Sequence, residues 1–364
     1  MQQTDSNSEK NFPHANYTGD DFVLLALSLA RITFLTFAEK KILLKNLDSS
    51  NSLALLSIKD IEIKIGRCIK NREVWNGQEN LRMAKAAAYY CQALNIKILL
   101  FTNPEYPVLL LETHNPPFLL FCRGDSSVLN NKCVSVVGTR KITSNGKAAA
   151  LDFAYAAACD GLNLISGLAN GADGFVHQGA INAWFDYKEK GLPVENLGKT
   201  VAVLPSSIDE IVPYSHKKMA MQIIQTGGCI LSEYEPKMPL ANWHFVGRNR
   251  IIAGMSLATV IIEAPAGSGA LITADFALDY DRDVIFHQAA FNSMAEKISD
   301  YVKQNLEKSY RNGKVSKYKK ENTPEKFLEA GAPVIKDYKD FCTCLEELPG
   351  KRSVSEQGEL FDLS

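Results

Sequence analysis

CVSVVG at residues 133–138 and LNLISG at residues 162–167 are short apolar runs that end in glycine, and a stretch of helical length follows each of them. The alternation continues through TVAVLP at 200–205 and CILSE at 229–233 to DVIFH at 283–287. Short strands that alternate with helices predict a parallel sheet covered on both faces. We therefore predict an α/β fold with a Rossmann-like, doubly wound, mostly parallel sheet. Its six predicted strands lie near Val134, Leu164, Val203, Ile230, Val260 and Ile285.

The sequence outside this pattern divides into further segments. The first residues are polar and acidic, and the next eighty are apolar runs of helical length separated by polar breaks. We predict a disordered lead at 1–20, a small all-α N-terminal domain at 21–103, a Rossmann domain at 104–346 with a basic insert at 303–320, and a flexible tail at 347–364.

The apolar run at residues 22–38 resembles a membrane span only at first sight. A span needs about 20 apolar residues and resists a charge at its centre. This run is shorter and contains Arg31, so it predicts one or two buried helices and no membrane association.

Composition limits the function classes. The chain has 364 residues with a net charge of −1, which excludes a globally basic nucleic-acid binder and leaves a locally basic face open. No CxxC pair occurs among the eight cysteines, and Cys342 and Cys344 have no histidine nearby. We predict reduced thiols, a cytoplasmic location, and no metal or other cofactor.

Three loops at predicted strand ends carry unusual residues. They are Gly138-Thr139-Arg140, the run from Ser166 through Gly171 to Gly174, and the run from Glu263 through Gly267 to Thr273. Ligands of open parallel sheets bind beyond the carboxyl ends of the strands, where loop amides, hydroxyls and an arginine fork can hold an anion. Each loop alone is also explained as turn chemistry. Together the three favour one crevice for an anionic ligand.

The segment Trp243–Arg250 (WHFVGRNR) places two arginines around Asn249 at the start of an apolar helix. Arginine forks bind phosphates and exposed aromatic rings stack on bases. Burial of Trp243 and Phe245 in the core is equally compatible with the sequence. Lys199 lies in a GKT triplet that lacks the other features of a P-loop, so it either contacts phosphate or is a solvated turn lysine.

Candidate catalytic groups are few. Asp173 and Glu263 would be general bases in the crevice, or would cap a helix or orient arginine, and the second role is favoured. His177 has no catalytic partner that the sequence can place beside it, and packing is its favoured role. We therefore predict a binding protein rather than an enzyme.

Longer motifs resemble a known family. VVGTRKITSNGKAA, LISGLANGADGFVHQGAI, GRNRIIAGMS and EAPAGSGALITADFAL occur in the order and spacing of the DNA-processing family called DprA or Smf, over about residues 104–346. The resemblance implies an extended Rossmann-like domain, single-stranded DNA binding, loading of the RecA recombinase in natural transformation, and a homodimer. With the loop analysis, it gives the candidate DNA-binding residues Gly138, Thr139, Arg140, Ser166, Gly167, Gly171, Lys199, Arg248, Asn249, Arg250, Gly267, Ser268, Gly269 and Thr273.

The alternative function is a nucleotide-binding or nucleotide-cleaving enzyme of the lysine-decarboxylase-like superfamily. Such enzymes carry a PGGxGT loop followed by a catalytic glutamate, and the equivalent segment here reads APAGSGALITADF without one. The chain also departs from the DprA pattern, because Pro205-Ser206-Ser207 replaces a glycine-rich turn, and we expect its short tail to lack the winged-helix domain that many members carry.

Two segments carry predictions of their own. The basic insert has seven Lys or Arg against one Glu, so it either extends a DNA track or forms a solvated helix or loop. In the tail, Gln357, Leu360 and Phe361 resemble the short peptide by which bacterial proteins dock on the DNA polymerase sliding clamp. The alternative for the tail is that it folds back onto the domain.

Overall fold

The computed structural model describes residues 20–70 and 75–347, so residues 1–19 of the predicted disordered lead and the clamp-like peptide lie outside the described residues. The helices are α1 (Asp21–Ala30), α2 (Phe37–Asn46), α3 (Ser50–Leu55), α4 (Ile58–Ile65), α5 (Gly77–Ala93), α6 (Val108–Leu111), α7 (Ser144–Cys159), α8 (Ala172–Glu189), α9 (Lys217–Gln225), α10 (Asn242–Gly254), α11 (Gly269–Asp279), α12 (Ser293–Arg311), α13 (Lys317–Glu321), α14 (Pro324–Glu329) and α15 (Tyr338–Glu347). The strands are β1 (Lys97–Leu100), β2 (Leu119–Gly124), β3 (Cys133–Val137), β4 (Asn163–Ser166), β5 (Thr200–Val203), β6 (Cys229–Ser232), β7 (Ala258–Ile261), β8 (Asp283–His287) and β9 (Val334–Ile335).

The helices before β1 begin at polar caps. Asp20, Thr36, Ser49, Ser57 and Asn76 each accept a hydrogen bond from a backbone amide in the first turn of the following helix. Such caps satisfy amides that have no partner inside the helix. The polar breaks in the sequence therefore define where these helices begin.

The apolar run at 22–38 forms two helices, as predicted. Helix α1 ends before Arg31, whose guanidinium pairs with Glu235 and donates to Asn80 Oδ1 at 3.2 Å. Helix α2 begins at Phe37. Within the described ranges, no helix combines the length and apolar character needed to cross a membrane.

One sheet of nine strands has the order β1-β2-β6-β5-β4-β3-β7-β8-β9. The strands from β6 to β9 in this order pair in parallel, and β1, β2 and β6 pair antiparallel. This confirms the mostly parallel, doubly wound fold. The chain moves outward from β3 through β4, β5 and β6 on one side, and then continues with β7 and β8 on the other. The strand order therefore reverses at β3, where a doubly wound sheet forms a ligand crevice.

The count of six strands was too low. Strands β1 and β2 are continuous apolar runs, which periodicity alone cannot distinguish from buried helix, and β9 has only two residues. The predicted six correspond to β3, β4, β5, β6, β7 and β8.

Two cores lie on opposite faces of the sheet. One contains buried side chains of α1 and α2 together with β2, β6 and α10, so the N-terminal helices share a core with the sheet. The other contains α7, α8 and α15 against β3, β4 and β7. The basic insert is not a loop, because it forms the second half of α12 and most of α13.

Helices α7 and α8 pack closely because small residues face each other. Ala150, Ala154 and Ala157 of α7 are fully buried, and Gly179 of α8 lies against Ala154. A Cβ at Gly179 would lie 2.5 Å from the carbonyl oxygen of Leu151 and 2.8 Å from the Cβ of Ala154. The two backbones therefore approach too closely for any side chain at this position.

We predict that Gly179→Ala destabilises the chain by about 1–3 kcal/mol, because the overlap outweighs the higher helix propensity of alanine. Urea unfolding monitored by circular dichroism measures the change. The control is Asn182→Ala, at an exposed position of the same helix, which should be neutral or slightly stabilising. A gain in stability for Gly179→Ala would contradict the close approach of α7 and α8.

Candidate functional site

A crevice of about 280 Å³ opens at the point where the strand order reverses. Its walls come from the loops after β3, β4 and β7 and from the side of α10. The residues that line it are Val137, Gly138, Thr139, Arg140, Ala169, Asp173, Phe245, Val246, Arg248, Asn249, Ile252, Ser268, Gly269, Ala270 and Thr273. Eight of the fourteen candidate residues therefore meet in one cavity.

Arg140 is the exposed cation at the mouth of the crevice. Its guanidinium carbon lies 5.1 Å from the ring centroid of Phe245, which also lines the crevice. None of the ion pairs found among residues 20–70 and 75–347 involves Arg140. An arginine that contacts a ring through its guanidinium face keeps its N–H donors available for an anion, and this distance allows such a contact.

Arg248 lies deeper and is only 5% exposed. Its Nη1 donates to the carbonyl of Val203 at 2.7 Å, and its Nε is buried without a hydrogen-bond partner in the described chain. A Cβ at Gly167 would overlap this guanidinium, so a larger residue there would displace Arg248 from its position. Burial lowers the pKa of Arg248, and the charge of Asp173 acts in the opposite direction.

The loop after β4 was predicted to help hold an anion through its amides, and a carboxylate of the chain itself accepts hydrogen bonds from two of them. Asp173 is 5% exposed and receives hydrogen bonds from the amides of Gly138, Gly167 and Ala169. Burial raises the pKa of Asp173, while Arg248 and these amides lower it. The amides of Gly167 and Ala169 in this loop therefore stabilise Asp173 and are not free for a ligand.

Glu263 also has a structural role. Its carboxylate accepts from the Thr143 amide at 2.9 Å and from the Thr143 hydroxyl. The hydroxyl of Thr143 in turn caps α7 by accepting from the Gly146 amide at 3.1 Å. Glu263 is 2% exposed and does not line the crevice. The favoured role of the two carboxylates, in capping and orientation, agrees with these contacts.

The start of α11 forms the third wall of the crevice. Ser268 is its N-cap, and Ser268 Oγ is buried without a partner among the described residues. Asn249 Nδ2 donates to the carbonyl of Gly269 at 3.1 Å, which fixes α10 against this turn. Amides in the first turn of a helix favour negative charge. This wall therefore adds hydrogen-bond donors to the cavity that Arg140 also lines.

The other candidates lie outside the cavity. Ser166 is fully buried and its hydroxyl donates to the carbonyl of Val136 at 2.7 Å, so it joins β4 to β3. Gly167 lines a smaller cavity beside the crevice. Gly171 has a φ of +80° and forms the N-cap of α8. Gly267 precedes the crevice wall and packs against the basic insert.

Two basic candidates point elsewhere. Lys199 precedes β5 and so lies at the amino edge of the sheet, opposite the crevice, where its Nζ donates to the Val194 carbonyl at 2.6 Å. Arg250 Nη2 donates to both carboxylate oxygens of Glu233, at 2.5 and 2.6 Å. Glu233 shares a small cavity with Lys40 of α2, so Arg250 faces the N-terminal helices. Neither side chain can join Arg140 at a ligand in this conformation.

The aromatic residues behave differently from each other. Trp243 is 65% exposed and does not line the crevice, so burial of Trp243 in the core is excluded. Phe245 is half-buried beneath Arg140. Sequence reasoning named Phe245 but missed its role as a support for Arg140, because the partner comes from a loop more than 100 residues away.

His177 stabilises the turn after β4, which lies next to the crevice. It is fully buried, its Nδ1 lies 2.6 Å from Thr200 Oγ1, and its Nε2 accepts from the Leu168 amide at 3.3 Å. Leu168 has a φ of +55°, which is unusual for a branched side chain, and it follows Gly167. The histidine therefore holds the strained turn that carries Gly167 beneath Arg248.

A sequence profile of the family described as DNA recombination-mediator protein A matches residues 97–343, more than half of the chain. The chain belongs to the DNA recombination-mediator protein A family. This confirms the resemblance drawn from the motifs.

Individual members of the DNA recombination-mediator protein A family are also similar to this chain in sequence. Protein Smf of Borreliella burgdorferi is 31% identical over 281 residues, which cover 77% of this chain and 84% of that protein. DNA processing protein DprA of Bacillus subtilis is 32% identical over 199 residues, which cover 54% of this chain and 62% of that protein. The matched region thus spans most of the Borreliella protein and less than two thirds of the Bacillus protein.

Two solved structures share the fold. DNA processing protein A from Streptococcus pneumoniae superposes with a TM-score of 0.62 at 23% identity, covering 91% of this chain and 98% of that one. A structure that reports the single-stranded DNA binding mode of DNA processing protein A from Helicobacter pylori gives a TM-score of 0.51 at 23% identity, covering 69% and 95%.

The buried imidazole of His177 generates a pH prediction. Burial lowers its pKa to about 3, and His216 and Arg248 act in the same direction. Because the unfolded chain takes up this proton below about pH 6.5 and the folded chain does not, stability falls as the pH drops from 6.5 toward 3. At pH 5 this histidine should cost about 2 kcal/mol of stability.

Urea unfolding of the wild type and His177→Gln at pH 7 and pH 5 measures this effect. The free energy of unfolding of the wild type should fall between pH 7 and pH 5. In the variant this fall should be smaller by about 2 kcal/mol. His114→Gln, at an exposed position, is the control and should retain the wild-type pH dependence. An unchanged pH dependence in His177→Gln would show that His177 is protonated in the folded chain.

Proposed function

We propose that the chain binds single-stranded DNA, with phosphates held in the crevice at the reversal of strand order. The observation that carries this proposal is the pair of arginines at different depths. Arg140 is exposed and lies over the ring of Phe245, and Arg248 has a buried Nε in the same cavity that has no partner among the described residues. Unpartnered buried donors are rare in folded proteins, and an anion in the crevice would satisfy them.

The crevice chemistry favours a phosphate backbone. It combines a guanidinium fork at its mouth, the hydroxyls of Thr139 and Ser268, and the first turn of α11. These groups contact phosphate oxygens without reading base identity. The binding mode reported for the Helicobacter pylori relative supports the assignment to a single strand. We therefore expect little sequence preference and a strong dependence of affinity on salt.

Loading of RecA, a role in natural transformation and a homodimer follow from the family resemblance and remain predictions. Strand-exchange assays with RecA and single-strand-binding protein test the first. Sedimentation of the purified chain tests the dimer. Docking of the tail on a sliding clamp remains a separate prediction, to be tested with a peptide of residues 351–364.

We predict that Arg140→Gln weakens binding to single-stranded DNA of any sequence by about tenfold, the equivalent of ~1.4 kcal/mol. The slope of log affinity against log salt should become shallower by roughly 0.7, because one phosphate contact is lost. Fluorescence anisotropy with a labelled oligothymidylate at several salt concentrations measures both quantities.

The matched control uses the arginine that the structure places elsewhere. Glu233→Gln combined with Arg250→Gln removes both charges of their ion pair together, so neither is left buried alone. In the folded protein this variant should retain the wild-type affinity and salt slope. Equal losses in the Arg250 and Arg140 variants, or no loss in Arg140→Gln, would argue against the crevice as the DNA site.

A further inference from the structure

The basic insert lies beside the rim of the crevice. The Gly267 amide donates to the carbonyl of Asn322 at 2.7 Å, and a Cβ on Gly267 would lie 2.8 Å from the carbonyl oxygen of Lys319. Gly267 is two residues before Gly269, which lines the crevice. Two residues of chain span at most ~7 Å, so the backbone of Lys319 is close to the crevice wall.

A carboxylate on α11 fixes the insert in this position. Asp275 accepts from the Tyr318 hydroxyl at 2.5 Å, from Asn322 Nδ2 at 2.6 Å and from Lys326 Nζ at 3.1 Å. The first turn of the same helix forms a wall of the crevice. Helix α11 therefore fixes the position of the insert relative to the crevice.

Most of the positive charge of the insert is already balanced. Four of its seven basic residues pair with carboxylates, namely Lys303 with Asp300 and Glu325, Arg311 with Glu307, Lys317 with Glu321, and Lys320 with Glu307. These four are explained as a solvated, ion-paired surface. The remaining Lys308, Lys314 and Lys319 are exposed and have no carboxylate partner among the residues that the structure describes.

An anchored aromatic ring accompanies the unpaired lysines. Tyr318 is 50% exposed, yet its hydroxyl is held by Asp275, so the ring is fixed while part of it faces solvent. Single-stranded nucleic acids bind on surfaces that combine cations with such rings, because every base can stack on an aromatic face. A run of charged residues that only faces solvent does not explain why an exposed ring is fixed beside it.

We propose that Lys308, Lys314, Lys319 and Tyr318 continue the DNA track beyond the crevice, with Lys319 and Tyr318 as the first contacts outside the rim. This inference rests on the proposed function, since it extends the same bound strand. A strand long enough to leave the crevice past Gly267 meets Tyr318 and Lys319, whereas a short oligonucleotide fills the crevice alone. The insert therefore adds affinity that depends on oligonucleotide length.

Substitutions test this better than deletion, because Leu306 of α12 packs against Gly267 and its removal would disturb the crevice wall. The test variant is Lys308→Gln, Lys314→Gln and Lys319→Gln combined. The control removes the same charge from exposed lysines of α4 and α5, by Lys59→Gln, Lys64→Gln and Lys85→Gln. Full-length proteins are titrated with labelled oligothymidylates of about 4 and about 20 nucleotides, which lie at the lower end and beyond the upper end of the usual site sizes of single-strand binders.

The triple insert variant should bind the long oligonucleotide at least tenfold more weakly than the control variant, with a salt slope shallower by roughly 2 for three lost contacts. Both variants should bind the short oligonucleotide alike. Tyr318→Leu should weaken the long complex more than Tyr318→Phe, because only the first loses the ring.

Equal effects of the insert and control variants, or equal losses on short and long oligonucleotides, would overturn the extended track while leaving the crevice intact. Failure of Arg140→Gln to weaken the short complex would instead overturn the proposed function. The two failures are therefore distinguishable, since one is read from the long oligonucleotide and the other from the short one.

Discussion

The buried carboxylate of Asp173 is the constraint on which the site depends. It lies at the carboxyl edge of the sheet, receives amides from the loops after β3 and β4, and faces the buried guanidinium of Arg248 on α10. A buried charge is tolerated only when it is paired and hydrogen-bonded. Asp173 is therefore hydrogen-bonded by two loops and attracted by the charge of Arg248 on α10, and these interactions shape the crevice before a ligand arrives. Such preorganisation lowers the cost of binding.

Much of the fold could be predicted from the sequence because apolar runs of strand length alternate with stretches of helical length. The same rule that predicts a parallel sheet also places the loops after β3, β4 and β7 at one edge, so Gly138, Arg140 and Ser268 were correctly brought together. Strands β1, β2 and β9 were missed because continuous apolar runs and two-residue strands carry no periodic signal.

The directions in which side chains point within the site were harder to predict from the sequence. Arg248 and Arg250 are two positions apart on a helix, which separates them by roughly 200° around its axis. One therefore enters the crevice and the other pairs with Glu233. The binding of Asp173 by the amides of the loop after β4 could not be predicted either, because nothing in a glycine-rich loop indicates whether its amides hold a ligand or a carboxylate of the chain itself.

The edges of the sheet limit how two copies of the chain can associate. One edge is β9, which offers a neighbouring strand only two residues, and the other is β1, which has four residues and begins with a lysine. Proteins avoid adding strands from other molecules by keeping edge strands short and charged. A homodimer of this chain would therefore use side chains on helices and loops as its interface, and not hydrogen bonds between edge strands. Single substitutions of those side chains would then weaken the dimer.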